Sequence, residues 1–401
     1  MPQEPKDSPE PAGLSRRNVF GAASLATAGI AATSLWTRQA KAAPPPEEEK
    51  KAGEKPKIEP IANFKYDLEK QTHWVGPGGS AKEATAEEFP VSQSMAGVSM
   101  RLDPGAIREL HWHALAAEWA YVLEGRVRTT VISPAGQTEV DDFEVGDTWY
   151  FPKGHGHALQ NIGNGPSHFL LVFDNGHFSE FGTFGITDWI AQTPPHIAAR
   201  TLGVPESALA PFPKKELYIG PGRVPPTPED LRDKDVQWFQ SSHKFRLDKV
   251  VPRVYEGGRE YMVTAKEFPI QTTLMAVHMV IQPGGLREMH WHPHADEWQY
   301  YVKGRARVGV FGSHGRSRIE EFGPGQVCFV QQGYGHYVEQ LGDEPTEILI
   351  LFNSPEYQEI SLREWLGQNP MSMLETNFPG VPRNTIDRFP IKEVGIFGKR
   401  A

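Results

Sequence analysis

Short segments in which apolar and polar residues alternate recur along most of this chain, and Gly, Pro and Asp residues separate them. Residues 126–132 alternate in this way and are rich in β-branched side chains, whereas Ser167–Phe173 is largely apolar. Similar segments return at 306–311 and 347–352. Because a period of two fits strands with one buried face, the pattern predicts an all-β protein of antiparallel sandwiches or barrels.

The chain contains an internal repeat with a constant offset of 179 residues. Residues 108–118 read Arg-Glu-Leu-His-Trp-His-Ala-Leu-Ala-Ala-Glu, and residues 287–297 read Arg-Glu-Met-His-Trp-His-Pro-His-Ala-Asp-Glu. Two repeats of this length indicate two homologous domains rather than a solenoid of many units. We therefore expect tandem β domains at 58–235 and 236–401. Short helices are expected to flank the barrels, at 186–192 and 361–368.

The length and charge of the chain limit its class. With 401 residues there is room for two domains with full cores. The net charge is −9 and no basic cluster stands out, which argues against partners such as nucleic acid or an anionic membrane surface. A single cysteine, Cys328, excludes an intramolecular disulfide, and its apolar surroundings predict a buried, inert thiol.

Residues 1–42 have the features of an export signal. Arg16 and Arg17 precede a Gly/Ala-rich apolar stretch, and Ala-Lys-Ala at 40–42 offers a cleavage site. The segment resembles a twin-arginine signal and predicts a periplasmic or secreted protein without a membrane contact after signal removal. A single membrane anchor is the alternative, disfavoured because the stretch is short and poor in Leu, Ile and Val. Residues 43–57 are charged and Pro-rich, which predicts a disordered linker.

Each repeat carries the same set of possible metal ligands. Two histidines lie two residues apart, so on a strand both rings point to the same face. A lone His-x-His is usually just two polar residues of a strand. Here the pattern occurs twice, each time with a glutamate and a later histidine at the same spacing. The two predicted sets are His111, His113, Glu118 and His157, and His290, His292, Glu297 and His336.

Three imidazoles and one carboxylate leave two places open on a six-coordinate ion, as a catalytic metal requires. This donor set accepts Mn, Fe, Co, Ni, Cu and Zn, so the residues alone do not select the metal. His155 and His294 are interpreted as loop residues rather than ligands, because one lies in a Gly-His-Gly turn and the other has no counterpart in the first repeat.

These residues resemble the bicupin family. The first cupin pattern, Gly-x5-His-x-His-x3–4-Glu-x6-Gly, is met at 105–125 and at 284–304. The second pattern, Gly-x5-Pro-x-Gly-x2-His-x3-Asn, is met at 146–161. It is looser in the second repeat, where Gln331 and Gln340 replace the proline and the asparagine.

Within the bicupins, the chain is similar to the oxalate decarboxylases. The runs Phe-Asp-Asn-Gly-His-Phe-Ser-Glu at 173–180 and His-Trp-His-Pro-His-Ala-Asp-Glu-Trp-Gln-Tyr-Tyr at 290–301 carry much of this likeness, which covers about 60–395. The resemblance implies two cupin barrels, two Mn ions per chain, dioxygen as a co-catalyst, and conversion of oxalate to formate and carbon dioxide. It also implies a homo-oligomer, either a trimer or a hexamer.

The resemblance also assigns roles to particular residues. Arg108 is expected to bind and polarise the substrate, and Arg287 is its counterpart in the second repeat. Glu180 is expected to be the proton shuttle, with a pKa raised by burial so that it can act as an acid. The residues of the active-site lid are then Ser179, Glu180, Phe181, Gly182 and Thr183.

Two positions depart from the family pattern. The lid of the family usually has two polar residues where this chain has Phe181 and Gly182, so lid dynamics are expected to differ. Ile350 stands where some decarboxylases place a second-site glutamate, which would leave the second metal without that acid. The first site is therefore the expected catalytic site.

Other functions remain open at this level. An oxalate oxidase would give hydrogen peroxide, and the acid Glu180 that returns a proton to carbon favours decarboxylation. A bicupin dioxygenase for an aromatic substrate would need a larger apolar pocket, in which Arg108 would be out of place. A non-catalytic storage or sugar-binding bicupin would often have lost the ligands, and this chain keeps all eight.

Overall fold

The computed structural model describes residues 58–72, 74–225, 242–392 and 394–399. The predicted export signal (1–42) and linker (43–57) lie outside the described residues. Among the described residues, no helix has both the length and the apolar character needed to cross a bilayer.

The first half of the described chain is dominated by strands, with two helices near its end. Its helices are α1 (Ile186–Gln192), which has the predicted bounds, and α2 (Pro195–Leu202). Its strands are β1 (Lys65–Asp67), β2 (Trp74–Gly76), β3 (Gly79–Ala84), β4 (Ala96–Leu102), β5 (Ile107–Trp112), β6 (Glu118–Glu124), β7 (Arg126–Ile132), β8 (Thr138–Glu144), β9 (Asp147–Phe151), β10 (Gly156–Asn161), β11 (Ser167–Phe173), β12 (Phe184–Gly185) and β13 (Ile219–Gly220).

The second half repeats this order. Its helices are α3 (Leu362–Gly367), α4 (Met371–Asn377) and α5 (Arg383–Ile386). Its strands are β14 (Lys244–Arg246), β15 (Arg253–Tyr255), β16 (Gly258–Val263), β17 (Met275–Ile281), β18 (Leu286–Trp291), β19 (Glu297–Lys303), β20 (Arg305–Gly312), β21 (Arg316–Phe322), β22 (Gln326–Val330), β23 (Gly335–Leu341), β24 (Thr346–Phe352), β25 (Ile360–Ser361) and β26 (Ile396–Phe397).

Each half forms a barrel of two antiparallel sheets. In the first barrel the larger sheet has the order β14-β9-β6-β11-β4-β3-β2, and the smaller has the order β12-β5-β10-β7-β8 with β13 added beside β5. In the second barrel the orders are β1-β22-β19-β24-β17-β16-β15 and β21-β20-β23-β18-β25, with β26 beside β18. The all-β prediction of two tandem barrels with short helices is confirmed.

The two barrels exchange edge strands. β1 pairs with β22 of the second barrel, and β14 pairs with β9 of the first. The linear boundaries predicted at 58–235 and 236–401 therefore do not coincide with the sheets, because each half of the chain completes a sheet of the other. Alternation along a strand gives its buried face but does not identify its partner strand.

Three large apolar clusters stabilise this arrangement. One fills the first barrel and another fills the second, with Val98 and Ile348 among their fully buried members. The third joins the outer faces of the two larger sheets, where Trp119 and Trp298 are completely buried. Each barrel thus has its own core, and a shared core fixes the two barrels together.

Leu247→Ala is expected to reduce the free energy of unfolding by about 2–5 kcal/mol, because it opens a cavity in the shared core. Leu247 follows the exchanged strand β14 and is 0% exposed. The midpoint of denaturant unfolding measures the loss. Val251→Ala is a suitable control, since Val251 is 89% exposed and its replacement should change stability by less than about 0.5 kcal/mol. Equal midpoints for the two variants would contradict a shared core.

Candidate metal centres and lid

The first candidate metal centre lies inside the first barrel. His111 is on β5, His113 follows that strand directly, Glu118 begins β6 and His157 is on β10. β5 and β10 are paired with His111 opposite His157, which brings residues 46 positions apart together. All four side chains are buried, and their potential ligand atoms lie within 4.8 Å of one another. The four predicted ligands of the first repeat are thus gathered at one point.

Hydrogen bonds aim the imidazoles at this point. The Nδ1–H of His111 donates to the carbonyl of Glu109 at 2.6 Å, and that of His157 donates to the carbonyl of His155 at 2.9 Å. Each ring is thereby fixed in the tautomer that leaves a lone pair on Nε2. Trp149 Nε1 donates to Glu118 Oε1 at 2.6 Å, which leaves Oε2 directed at the centre.

The unpaired atoms of the first centre fit a cation. The Nε2 atoms of its three histidines and Glu118 Oε2 are buried and find no hydrogen-bond partner among the described residues. Burial lowers the pKa of His111 well below its usual range, with the charges of Arg108 and the two neighbouring histidines adding to the effect. Neutral imidazoles and a carboxylate are the forms that bind a transition metal.

The second centre repeats this geometry in the second barrel. Its ligand atoms also lie within 4.8 Å of one another, and the residues are His290, His292, Glu297 and His336. Nδ1–H groups donate to backbone carbonyls at 2.7 Å for His290, 2.8 Å for His292 and 3.1 Å for His336. Gln299 Nε2 donates to Glu297 Oε1 at 2.7 Å, in the role that Trp149 has in the first centre.

The predicted substrate-binding arginine lies beside the first centre. Arg108 on β5 is 0% exposed, and its guanidinium stacks on the Tyr218 ring with 4.1 Å to the ring centroid. Its Nε donates to Glu180 Oε1 at 2.8 Å, and its Nη2 donates to Thr183 Oγ1 at 2.6 Å. The structure therefore brings the predicted arginine, the predicted shuttle and the end of the predicted lid into direct contact.

The predicted lid (179–183) lies beside the first centre, with the Glu180 side chain buried. Glu180–Gly182 form a single turn of 3-10 helix, with Ser179 as its N-cap. The Glu180 carboxylate is buried, with Oε2 at 3.3 Å from His113 Nε2 and Oε1 at 3.8 Å from His111 Nε2. Phe181, one of the positions that differ from the family pattern, packs on Tyr218 with ring centroids 5.5 Å apart. The lid thus places a carboxylate between the arginine and the imidazoles.

The expected rise in the pKa of Glu180 is wrong for this arrangement. Burial alone raises the pKa, but the Arg108 guanidinium and the nearby His113 ring outweigh burial and lower it to about 2. The carboxylate is therefore ionised while it faces Arg108. Glu180 can become an acid only after this ion pair is broken, for example by a substrate carboxylate that takes the guanidinium.

The second centre has a different set of charges around its arginine. Arg287 Nε lies 3.2 Å from Glu260 Oε1, and its Nη2 donates to both Glu359 and Tyr357. Position 350 supplies no acid to this centre, as expected from Ile350, but β16 and the loop before β25 supply two other carboxylates. Among the described residues, one carboxylate pairs with Arg108, whereas two pair with Arg287.

Sequence reasoning missed the two carboxylates that contact Arg287, Glu260 and Glu359. A signal for Glu359 would have been a carboxylate at its counterpart, but the loop before β25 is three residues shorter than the loop before β12, so Glu359 aligns with Thr183. No such signal marked Glu260, because its counterpart is Ala81. The two histidines interpreted as loop residues lie outside both ligand sets: His155 Nδ1 is 3.2 Å from His243 Nε2, and His294 Nε2 is 2.9 Å from Ser354 Oγ.

Two barrels, each with a buried His/His/Glu/His cluster, define a bicupin metalloprotein. Comparison with known proteins agrees with this class. The cupin family model matches residues 67–208 and 248–379. Oxalate decarboxylase OxdC of Bacillus subtilis (strain 168) is 39% identical over 321 residues, which cover 79% of this chain and 82% of that protein.

Further relatives point to the same group. A probable oxalate decarboxylase of Arthroderma benhamiae is 32% identical, with 77% of each chain covered. A solved structure concerned with the Mn(II) centers of the Bacillus subtilis oxalate decarboxylase superposes with a TM-score of 0.80, at 36% identity, and covers 86% of this chain and 90% of that one. The chain therefore belongs to the cupin family and, within it, to the oxalate decarboxylases.

Proposed function

We propose that this protein decarboxylates oxalate to formate and carbon dioxide at the first centre, with manganese at both centres and dioxygen as a co-catalyst. The observation that carries the proposal is the buried pair of Arg108 and Glu180 beside three imidazoles and a carboxylate. Manganese is proposed because the superposed Bacillus enzyme has Mn(II) centers and the donor set here fits a transition metal.

Arg108 is proposed to bind the substrate. Hydrogen oxalate, the singly protonated substrate, has one carboxylate that the planar guanidinium can bind in a bidentate manner. In this structure the Glu180 carboxylate occupies this place on Arg108. A substrate carboxylate would therefore replace Glu180 at the arginine. Manganese, when bound, supplies a redox-active Lewis acid that the side chains lack.

Glu180 is proposed to move the proton. Once displaced from Arg108, it loses the partner that keeps its pKa low, while it stays buried under the lid. It can then accept the proton of hydrogen oxalate and, after carbon dioxide has left, return that proton to the remaining carbon. The products balance as one formate and one carbon dioxide per hydrogen oxalate. The closed lid excludes water during these steps.

A single assay distinguishes the candidate functions. Purified protein of measured metal content is given oxalate under air and under argon, and formate and peroxide are measured. A decarboxylase gives formate in air and loses turnover under argon. Peroxide as the main product would identify an oxidase instead, and protein without bound metal or turnover would support a non-catalytic bicupin.

A homo-oligomer, either a trimer or a hexamer, is also proposed. Both barrels have exposed apolar residues at equivalent positions of the repeat, which is unusual on a surface that meets only water. These pairs are Leu110 and Met289, Ile132 and Phe311, and Trp189 and Trp365. Copies of the chain that pack barrel to barrel would cover both faces. Light scattering of the purified protein measures the mass, and a monomer would overturn this proposal.

Export by the twin-arginine route to the periplasm or the exterior is proposed from the sequence of residues 1–42 alone. Replacement of Arg16 and Arg17 by lysine should retain the protein in the cytoplasm of an expressing bacterium. Fractionation followed by immunoblotting measures this, and unchanged export would exclude the route.

A further inference from the structure

A carboxylate outside the metal centre contacts the start of the lid. Glu83 lies on β3, and both of its carboxylate oxygens are 3.0 Å from Ser179 Oγ. The backbone N–H of Glu180 donates to Glu83 Oε2 at 3.2 Å. Ser179 Oγ also accepts the N–H of Phe181 at 3.2 Å, so the hydroxyl that Glu83 fixes caps the turn of the lid.

The other end of the lid is fixed by Arg108. Its guanidinium donates to Thr183 Oγ1 at 2.6 Å and to the Glu180 carboxylate at 2.8 Å. The same guanidinium is proposed to bind the substrate, so its contact with Glu180 must break during turnover. The contacts of Glu83 do not involve any group proposed to bind substrate. They can therefore persist when the substrate is bound.

Comparison of the two repeats shows that this contact is specific to the first centre. The offset of 179 residues aligns Glu83 with Met262 on β16. Met262 cannot accept the hydrogen bonds that Glu83 accepts. The carboxylate that contacts the lid is therefore present where the catalytic site is proposed and replaced by a thioether in the other barrel.

We propose that Glu83 is a positioning residue that keeps the lid closed, with Glu180 directed at the reacting carbon, while Arg108 binds the substrate. This role rests on the proposed function. Without Glu83 the lid would open before the proton returns to carbon. Dioxygen would then oxidise the oxalate carbons, so that oxalate, dioxygen and two protons yield two carbon dioxide molecules and one hydrogen peroxide instead of formate.

The test uses the full-length, manganese-loaded protein and measures formate and peroxide together. Glu83→Ala is expected to lower kcat for formate about tenfold, equivalent to about 1.4 kcal/mol, and to raise the peroxide share of turnover. Glu83→Gln keeps one acceptor oxygen and should recover most of the formate. Glu87→Ala, which removes an exposed carboxylate of the turn that follows β3, should behave like the wild type.

The variants should retain two metal ions per chain and the thermal midpoint of the wild type, because Glu83 contacts Ser179 and the Glu180 backbone rather than a metal-ligating side chain. Ser179→Ala removes the hydroxyl donor and should shift the products in the same direction. The double variant Glu83→Ala/Ser179→Ala should be little worse than Glu83→Ala, because both changes remove one interaction. If one of the two single variants folds poorly, the product ratio of the other single variant tests the proposal.

Two failures can be told apart. If the wild type makes no formate from oxalate, the proposed function is overturned, and this role falls with it. If the wild type makes formate and Glu83→Ala has the same formate turnover and peroxide share as Glu87→Ala, only the role of Glu83 is overturned. Loss of metal in parallel with loss of formate would also overturn it, because Glu83 would then support the centre rather than the lid.

Discussion

Glu180→Gln is expected to lower formate production at least about a hundredfold, as is typical when a general acid–base group is removed. The amide can still accept a hydrogen bond from Arg108 Nε, which lies 2.8 Å from the Glu180 oxygen. It cannot take a proton from the substrate and return it to carbon. Fold and metal content should be retained, because Glu180 is not among the four ligands. Formate release from oxalate is the measurement.

Glu359→Gln is the matched control for this prediction. Glu359 is a buried carboxylate that accepts a hydrogen bond from Arg287 Nη2 beside the second centre, whereas Glu180 accepts one from Arg108 Nε beside the first. If the first centre catalyses the reaction, Glu359→Gln should retain most of the formate turnover. The reverse result, with Glu359→Gln inactive and Glu180→Gln active, would move the catalytic site to the second barrel.

His111→Ala is expected to reduce the metal content from two ions per chain to one and to abolish formate production. The change removes one of three imidazole ligands and leaves the buried Glu118 carboxylate with fewer partners. Because a metal that binds only the folded protein stabilises it, the thermal midpoint should also fall. Elemental analysis and an oxalate assay on the same preparation measure both effects.

His155→Ala is the control for metal loss. This histidine lies two residues before the ligand His157 and contacts His243, but it belongs to neither ligand set. It should keep two ions per chain. If His111→Ala also keeps both ions and full activity, the ligand set of the first barrel is wrong.

Much of the fold followed from local pattern. The alternation at 126–132 coincides with β7 because side chains on a strand point alternately to the core and to the outside. Helix α1 has the predicted bounds, and α3 lies within the predicted 361–368. The repeat offset fixed the number of barrels. The exchange of β1 and β14 was not predictable, because a short strand carries no information about which sheet edge it will join.

The metal-ligating side chains could also be predicted from the sequence, whereas the pKa of Glu180 could not. Two histidines on one strand share a face wherever that strand lies, so the ligands could be chosen by spacing. The pKa of Glu180 depends on the distance to Arg108, which lies 72 residues earlier in the chain. Burial considered alone gave the opposite direction, because it omitted the neighbouring charge.

By itself the sequence determined the all-β class, the two repeats, the eight metal-ligating side chains and the arginine beside the first set. Each of these depends on residue type and on spacing within a repeat. Only the tertiary structure decided that Glu180 is ionised on Arg108, that Glu83 contacts Ser179 of the predicted lid, and that Glu260 contacts Arg287 beside the second centre. The physical reason is that hydrogen bonds and charge interactions depend on distances between strands, and the folding of the sheets sets those distances.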